Sequence, residues 1–154
     1  MSQTCCDTYT DRCLSKIKTS GLRVTEQRKE IIRVLEQATK PFTAKDVADQ
    51  LAEISGRDID FATTFRTLQT FSELELVHPV GQTGHFISCN SEHVCKTNTI
   101  HVIFSCFNCD HVREHQVDTK LSQSISRATE SLSQGFTTSS TVLYQYGLCK
   151  NCSG

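Results

Sequence analysis

The sequence contains little proline and glycine, with only 2 Pro and 7 Gly among 154 residues. Hydrophobic residues make up 37% of the chain and charged residues 21%, so a disordered or fibrous protein is excluded. A chain of this length has room for one domain or two small ones. A large multi-domain enzyme is therefore also excluded.

Long apolar runs are absent as well. No stretch approaches the roughly 18 consecutive apolar residues that a membrane span requires. The N-terminal sequence MSQTCCDTYTDRC lacks the charged-then-apolar layout of an export signal. We therefore expect a cytoplasmic protein with no membrane partner.

The chain also has almost no net charge: its formal net charge is −1 and its pI is about 6.6. No global positive field therefore indicates a nucleic-acid partner. The segment from Arg12 to Arg33 nevertheless carries seven basic residues against two glutamates. This local excess is typical either of phosphate contacts or of a solvated helical face.

Cysteine, by contrast, is abundant, with 9 residues. In a reducing cytoplasm, cysteines serve as metal ligands or reactive thiols more often than in disulfides. An odd number would also leave one cysteine over in a fully paired disulfide framework.

The first ninety residues have the pattern of helices followed by a hairpin. Helical periodicity covers residues 4–18 and 25–37, and capping signals at Thr43 (with Asp46) and Asp60 open two further helices. Two short strand-like runs follow, joined by a glycine-containing loop, at Leu76–Val80 and His85–Cys89. This order predicts a winged helix-turn-helix domain over residues 1–89, whose fourth helix would enter the DNA major groove.

The second half has the pattern of a small α/β domain. Residues 90–99 are polar and unpatterned, which predicts a hinge. Residues 100–154 then contain three predicted strands, at Ile100–Cys106, His111–Gln116 and Ser140–Tyr146. An amphipathic helix is predicted between the second and third strands, at Asp118–Gln134. Because a domain of this size can barely bury a hydrophobic core, we expect a bound metal, a second subunit or both. The predicted fold class is α+β.

Two CxxC pairs are the strongest chemical signal in the sequence. Cys106 and Cys109 form one pair, Cys149 and Cys152 form the other, and 39 residues separate them. Two such pairs supply the four thiolates of a closed structural zinc site. The alternative, a dithiol redox pair, usually occurs once and near a βαβ pattern.

Three strings together resemble the ferric uptake regulator (Fur) superfamily. They are LRVTEQRKEIIRVL at 22–35, ATTFRTLQTFSELELVH at 62–78, and the two CxxC pairs, the second within GLCKNC at 147–152. The resemblance spans about residues 12–152. It implies a winged-helix DNA-binding domain hinged to an α/β dimerisation domain, and homodimers whose binding to promoter DNA depends on a metal near the hinge.

The resemblance extends to a second, regulatory metal site. The His-rich run that precedes the first CxxC in iron-sensing members is missing here, whereas His78, Cys89 and Glu114 are arranged as in the zinc-sensing branch, the zinc uptake regulators. A mixed nitrogen, sulfur and oxygen shell with one thiolate suits Zn(II). The fourth ligand is His101 or His93, and His101 is favoured because it shares a strand with Cys106. We expect two zinc ions per subunit.

The resemblance also implies which residues contact DNA. Arg66 occupies the arginine position of the family's Tyr-Arg recognition pair, Phe65 replaces the usual tyrosine, and Thr63 and Thr64 precede them. Periodicity leaves open whether Phe65 faces DNA or the core. The expected phosphate contacts are Lys16, Lys18, Arg23 and Arg28.

The expected function is therefore a zinc-responsive repressor of zinc uptake genes, acting as a homodimer on double-stranded promoter DNA without a small-molecule substrate. One alternative is an iron- or peroxide-sensing regulator. Another is a zinc-sequestering or thiol-redox protein that does not bind DNA, in which Cys5, Cys6 and Cys13 are free thiols. An enzyme is not expected, because the sequence shows no nucleophile–base pair and no open catalytic metal shell.

Overall fold

The computed structural model describes residues 8–89, 100–109, 111–135 and 141–154. Within these residues the chain forms five helices and two three-stranded sheets, so the predicted α+β class is confirmed. The chain divides into two compact units, Met1–Asn90 and Ser91–Gly154. The predicted hinge at 90–99 lies outside the described residues.

Four helices of the first unit each begin at a side chain that caps the backbone. They are α1 (Tyr9–Thr19), α2 (Glu26–Gln37), α3 (Ala44–Ser55) and α4 (Phe61–Glu73). The caps are Thr8, Thr25, Thr43 and Asp60, and each side chain accepts a hydrogen bond from the N–H three residues on. The capping box predicted at Thr43 is complete, because Asp46 also accepts from the Thr43 N–H at 2.7 Å.

The predicted start of the first helix at residue 4 is wrong. Thr8 has an extended backbone (φ −125°, ψ 158°), and its side chain accepts from Asp11 N, so α1 begins at Tyr9. The predicted stop is confirmed, since α1 ends at Thr19 and Gly21 adopts a positive φ of 77°.

The wing is a small antiparallel sheet in the order β1-β3-β2. Its strands are β1 (Phe42–Thr43), β2 (Val77–Pro79) and β3 (His85–Ser88). The predicted hairpin is confirmed by the pairing of His78 with Ile87. Strand β1 was not predicted, because two residues are too few to show a period.

The core of the first unit is formed by α1 to α4 and the wing. Its fully buried side chains include Ile17, Ile31, Leu35, Leu68 and Phe71. Phe65 packs against this cluster from the edge and is only half-buried. The wing is held to α2 by a buried hydrogen bond of 2.8 Å from Ser88 Oγ to Leu35 O.

The second unit is a three-stranded sheet with one helix. It contains β4 (Ile100–Cys106), β5 (Val112–Gln116), α5 (Thr119–Leu132) and β6 (Thr141–Gly147), with the strand order β5-β4-β6. Strands β4 and β5 are antiparallel, whereas β4 and β6 are parallel and are joined through β5 and α5.

The predicted apolar stripe of α5 is largely uncovered in the single chain. Leu121, Ala128 and Leu132 are exposed, Leu132 at 77%, and Ile125 is half-buried. The residue of α5 that is buried is Ser122, whose hydroxyl donates to Val117 O. Every helix in the described part of the chain is too short or too polar to cross a membrane.

Candidate metal centres and nucleic-acid interface

The four cysteines of the CxxC pairs come together in the second unit. Cys106 ends β4, Cys109 follows on a tight turn, and Cys149 and Cys152 lie on the turn after β6. Because β4 and β6 are parallel neighbours, both turns lie at the same end of the sheet. The four sulfur atoms are all within 4.8 Å of one another.

The sulfur spacing matches the requirements of a tetrahedral ion. A Zn–S bond of about 2.3 Å places the sulfurs of a tetrahedral shell about 3.8 Å apart. The sulfur atoms of Cys109 and Cys149 lie 3.7 Å apart. The cluster therefore has the size and the ligand type of a closed structural zinc site.

The backbone around the cluster favours thiolates. The N–H groups of Cys149 and Asn108 point at the Cys106 sulfur, each at 3.4 Å, and they lower the pKa of that thiol to about 6. Cys109 also accepts a backbone hydrogen bond from His111, yet the adjacent sulfur of Cys106 raises the pKa of its thiol to about 12. Neighbouring thiolates therefore repel one another unless a cation is shared among them.

A second pair of candidate ligands lies on one face of the wing. Cys89 follows β3 and stands opposite Leu76, two residues before His78 on the partner strand, so His78 and Cys89 are diagonal neighbours. Their ligand atoms lie within 4.8 Å of each other. His78 is 3% exposed and Cys89 is 7% exposed, so both groups are shielded from water.

The second unit also holds a pair of candidate ligands across a diagonal of two antiparallel strands. His101 on β4 pairs with Gln116 on β5, which makes Glu114 the diagonal neighbour of His101 on the same face. His101 Nδ1 and Glu114 Oε1 are 2.6 Å apart, and each side chain is 5% exposed. This contact fixes the orientation of the imidazole, as a carboxylate does beside many metal-binding histidines.

The remaining histidines lie elsewhere. His93, the other candidate for the fourth ligand, lies outside the described residues. His111 and His115 are exposed, and strand alternation separates their face of β5 from that of Glu114. His85 is half-buried at the wing, where its Nδ1 lies 3.2 Å from Thr83 O.

The predicted recognition helix α4 presents Arg66 to solvent. Phe65 is half-buried, with its ring edge-on to Phe86 at 6.5 Å between centroids, so its ring belongs partly to the core. Phe61 stacks on Phe65 at 6.2 Å and is itself exposed. The exposed aromatic surface of α4 is therefore centred on Phe61, a position that the family resemblance does not assign to DNA.

The structure corrects the role predicted for Thr64. Its side chain is completely buried, and its hydroxyl donates to Asp60 O at 3.0 Å, so it has no surface with which to touch DNA. Thr63 is exposed, and its hydroxyl donates to the capping carboxylate of Asp60 at 2.6 Å.

The predicted phosphate contacts divide into two groups. Lys18 and Arg23 are exposed. Lys16 donates to Leu74 O at 3.0 Å and lies 3.7 Å from a Glu75 carboxylate oxygen, so its ammonium group already has partners within the fold. Arg28 is half-buried, and its Nη1 donates to Arg23 O at 2.6 Å. This hydrogen bond stabilises the loop between α1 and α2.

Cys13, on α1, is not placed for redox chemistry. Cys13 is completely buried in the core, and desolvation raises the pKa of its thiol to about 12. Cys5 and Cys6 lie outside the described residues.

The described residues therefore define a class of protein in which a winged-helix unit and a small α/β unit occur in one chain, the second unit carrying a candidate four-cysteine metal site. The sequence comparisons identify the family. Residues 19–146 match the model of the ferric uptake regulator family. The chain belongs to this family of metal-responsive regulators.

Individual relatives agree with the family assignment. The chain is 29% identical over 141 residues to the ferric uptake regulation protein of Neisseria gonorrhoeae, which covers 90% of this chain and 92% of the relative. Among solved structures, a zinc uptake regulator complexed with zinc and DNA has a TM-score of 0.74, with 23% identity over 99% of this chain and 97% of that one. The Vibrio cholerae ferric uptake regulator has a TM-score of 0.53, with 26% identity over 88% of this chain and 98% of that one.

Proposed function

We propose that this chain is a zinc-responsive transcriptional repressor that binds promoter DNA as a metal-loaded homodimer and controls zinc uptake genes. The observation that carries the proposal is the chemistry of the two buried diagonal pairs, His78 with Cys89 and His101 with Glu114. Each pair buries side chains that are costly to bury without a partner, and together they offer two imidazoles, one thiolate and one carboxylate.

In this proposal the four side chains hold one regulatory zinc, and the CxxC cysteines hold a second, structural zinc. When bound, zinc would supply a cross-link between the two pairs. The hinge at 90–99 would join the winged-helix domain (residues 1–89) to the α/β domain (100–154). Zinc would then select one relative orientation of the two domains out of many. Zinc binding and DNA binding would be coupled reciprocally, by about 1–3 kcal/mol in typical cases.

Iron is the second candidate for the sensed metal. It is favoured by the likeness to ferric uptake regulation proteins at 29% identity. The thiolate of Cys89 argues against iron, because soft sulfur ligands favour zinc over the harder iron(II). A peroxide-sensing regulator of the same family would likewise require an iron site.

DNA binding is supported by the exposed surface of α4 and by nearby cations. Arg66 would reach a base edge or phosphate, Phe61 and Phe65 offer apolar contact to thymine methyl groups, and Thr63 lies at the start of the helix. Lys18, Arg23 and Arg28 would contact phosphates, so affinity should fall steeply with salt.

The homodimer is supported by the uncovered apolar stripe of α5. Apolar side chains such as Leu121 and Leu132 on one helix are better covered by a second subunit than by water. A repressor acting on promoter DNA would be cytoplasmic and would need neither a substrate nor catalytic activity.

The proposal is tested first by the zinc content of the purified chain. The expected result is two zinc ions per chain, falling to one in Cys89→Ser and staying at two in the control Cys13→Ala. Unchanged zinc content in Cys89→Ser would remove Cys89 from the site.

Promoter binding then identifies the metal and the DNA surface. We expect binding to be restored to the metal-depleted protein by buffered Zn(II) but not by Fe(II). Arg66→Ala should weaken binding by about 1–3 kcal/mol, while Arg127→Ala on α5 leaves it unchanged. Restoration by Fe(II) alone favours the iron sensor, and unchanged binding in Arg66→Ala favours a protein that does not use α4 on DNA.

A further inference from the structure

The backbone of Cys89 makes one of the two hydrogen bonds with Leu76 that an antiparallel pair usually makes. Cys89 N donates to Leu76 O at 2.9 Å, as expected for a residue opposite Leu76 in an antiparallel pair. The reciprocal bond would run from Leu76 N to Cys89 O. Leu76 N instead donates to Phe71 O at 2.8 Å.

The reason lies at the end of α4. Glu75 adopts a positive φ of 55°, and the bonds from Glu75 N to Ser72 O and from Leu76 N to Phe71 O form a Schellman motif. The end of α4 therefore uses the Leu76 N–H, which would otherwise donate to Cys89 O in the hairpin. The donor to Cys89 O comes from outside the hairpin.

Arg12 on α1 supplies that donor. Its Nη2 donates to Cys89 O at 3.2 Å. Its guanidinium also lies 5.7 Å from the centre of the Tyr9 ring, and the Tyr9 hydroxyl donates to Leu76 O at 2.8 Å. One face of α1 thus holds both carbonyls of the Leu76–Cys89 pair.

The same face of α1 also holds the end of the recognition helix. Lys16, one helical turn beyond Arg12, donates to Leu74 O and lies beside Glu75, the residue in the left-handed conformation. Cations at a helix C-terminus stabilise its unpaired carbonyls. Helix α1 therefore joins the C-terminal end of α4 to the backbone that carries Cys89.

We propose that Arg12 is a positioning residue for the regulatory metal, holding the Cys89 backbone so that its sulfur stays beside His78. This inference rests on the proposed regulatory site and assigns it a residue that is not itself a ligand. Groups that orient metal ligands typically contribute about 10- to 100-fold to metal affinity.

The test is a competition titration of the full-length, structural-zinc-loaded protein against a chelator of known zinc affinity. Arg12→Met keeps the packing of the aliphatic stem but removes the donors, and should weaken the second zinc about 10- to 100-fold. Arg12→Lys retains a cation and should restore part of that loss. Arg33→Met, the same change at an exposed position on α2, should have no effect.

A second readout separates positioning from general stability. Co(II) bound at the regulatory site should show altered d–d and thiolate charge-transfer bands in Arg12→Met, while retention of the structural zinc shows that the variant is folded. Wild-type affinity and spectrum in Arg12→Met overturn the inference while leaving the proposed site standing. A wild-type chain that binds a single zinc, unchanged by Cys89→Ser, overturns both.

Discussion

Glu114 Oε1 lies 2.6 Å from His101 Nδ1, across one diagonal of the β4–β5 ladder. His78 and Cys89 lie across the opposite diagonal of the β2–β3 hairpin. A diagonal contact within an antiparallel pair therefore builds both candidate ligand pairs, one in each unit. In each case the two residues come from the two sides of a hairpin and share one face of it.

Replacing Glu114 should weaken the regulatory metal without affecting the structural one. Glu114→Gln removes the carboxylate that contacts His101 and the negative charge that a cation would neutralise. We expect the second zinc to bind about 10- to 100-fold more weakly in a chelator competition. Glu130→Gln, at an exposed position on α5, is the matched control, and an equal loss in both variants would contradict a specific role for Glu114.

Removing one sulfur of the four-cysteine cluster should unfold the second unit selectively. Cys149→Ser leaves three thiolates around the ion at the point where β4 and β6 end. Because so small a unit depends on its metal, amide hydrogen exchange should increase throughout β4, β5 and β6 while α2 to α4 stay protected. The neighbouring change Ser153→Ala should leave exchange unaltered, and protection of β4 in Cys149→Ser would show that the metal is not needed for folding.

The capping box of α3 should make stability depend on acid pH. The Thr43 hydroxyl and backbone N–H lower the pKa of Asp46 below its ordinary value of 3.8. Because the pKa is lower in the folded chain, the stabilisation is fully present above about pH 4 and is lost as the pH falls through the folded value. Because this carboxylate is exposed and screened by solvent, Asp46→Asn should cost roughly 0.3–1 kcal/mol of unfolding free energy at pH 7 and less near pH 3.

Urea unfolding at the two pH values measures this difference, with Gln50→Asn as an exposed control on the same helix. An equal loss at both pH values would show that the carboxylate charge has no part in the cap.

Cys13 should be chemically inert in the folded protein. Burial raises the pKa of its thiol to about 12, so the thiol is protonated at pH 8 and has no route to solvent. Alkylation of the native, zinc-depleted protein should leave Cys13 unmodified by mass spectrometry, whereas Cys106, which is half-buried and whose thiol pKa is lowered to about 6, should react. Denaturation should make Cys13 react as well. Modification of native Cys13 would reopen the thiol-redox hypothesis.

Much of the local structure was predictable because its signals are local. The Thr43 and Asp60 caps, the bounds of β4 and the glycine-containing hairpin loop all follow from residues close together in the chain. The CxxC pairs could be assigned as ligands because their spacing is itself the motif. Thr64 was placed wrongly, because its position on α4 does not reveal which face of that helix is buried.

The sequence by itself determined the candidate ligand types, the strands that carry them and the membership in a metal-responsive family. Only the tertiary structure decided which cations are exposed and which donate to carbonyls of the fold. Lys16 and Arg12 look like ordinary members of a basic segment, yet each donates to a main-chain carbonyl more than fifty residues away. The physical reason is that the way a helix ends and a hairpin begins decides which carbonyls accept from a side chain, and a backbone group has the same chemistry at every position in the sequence.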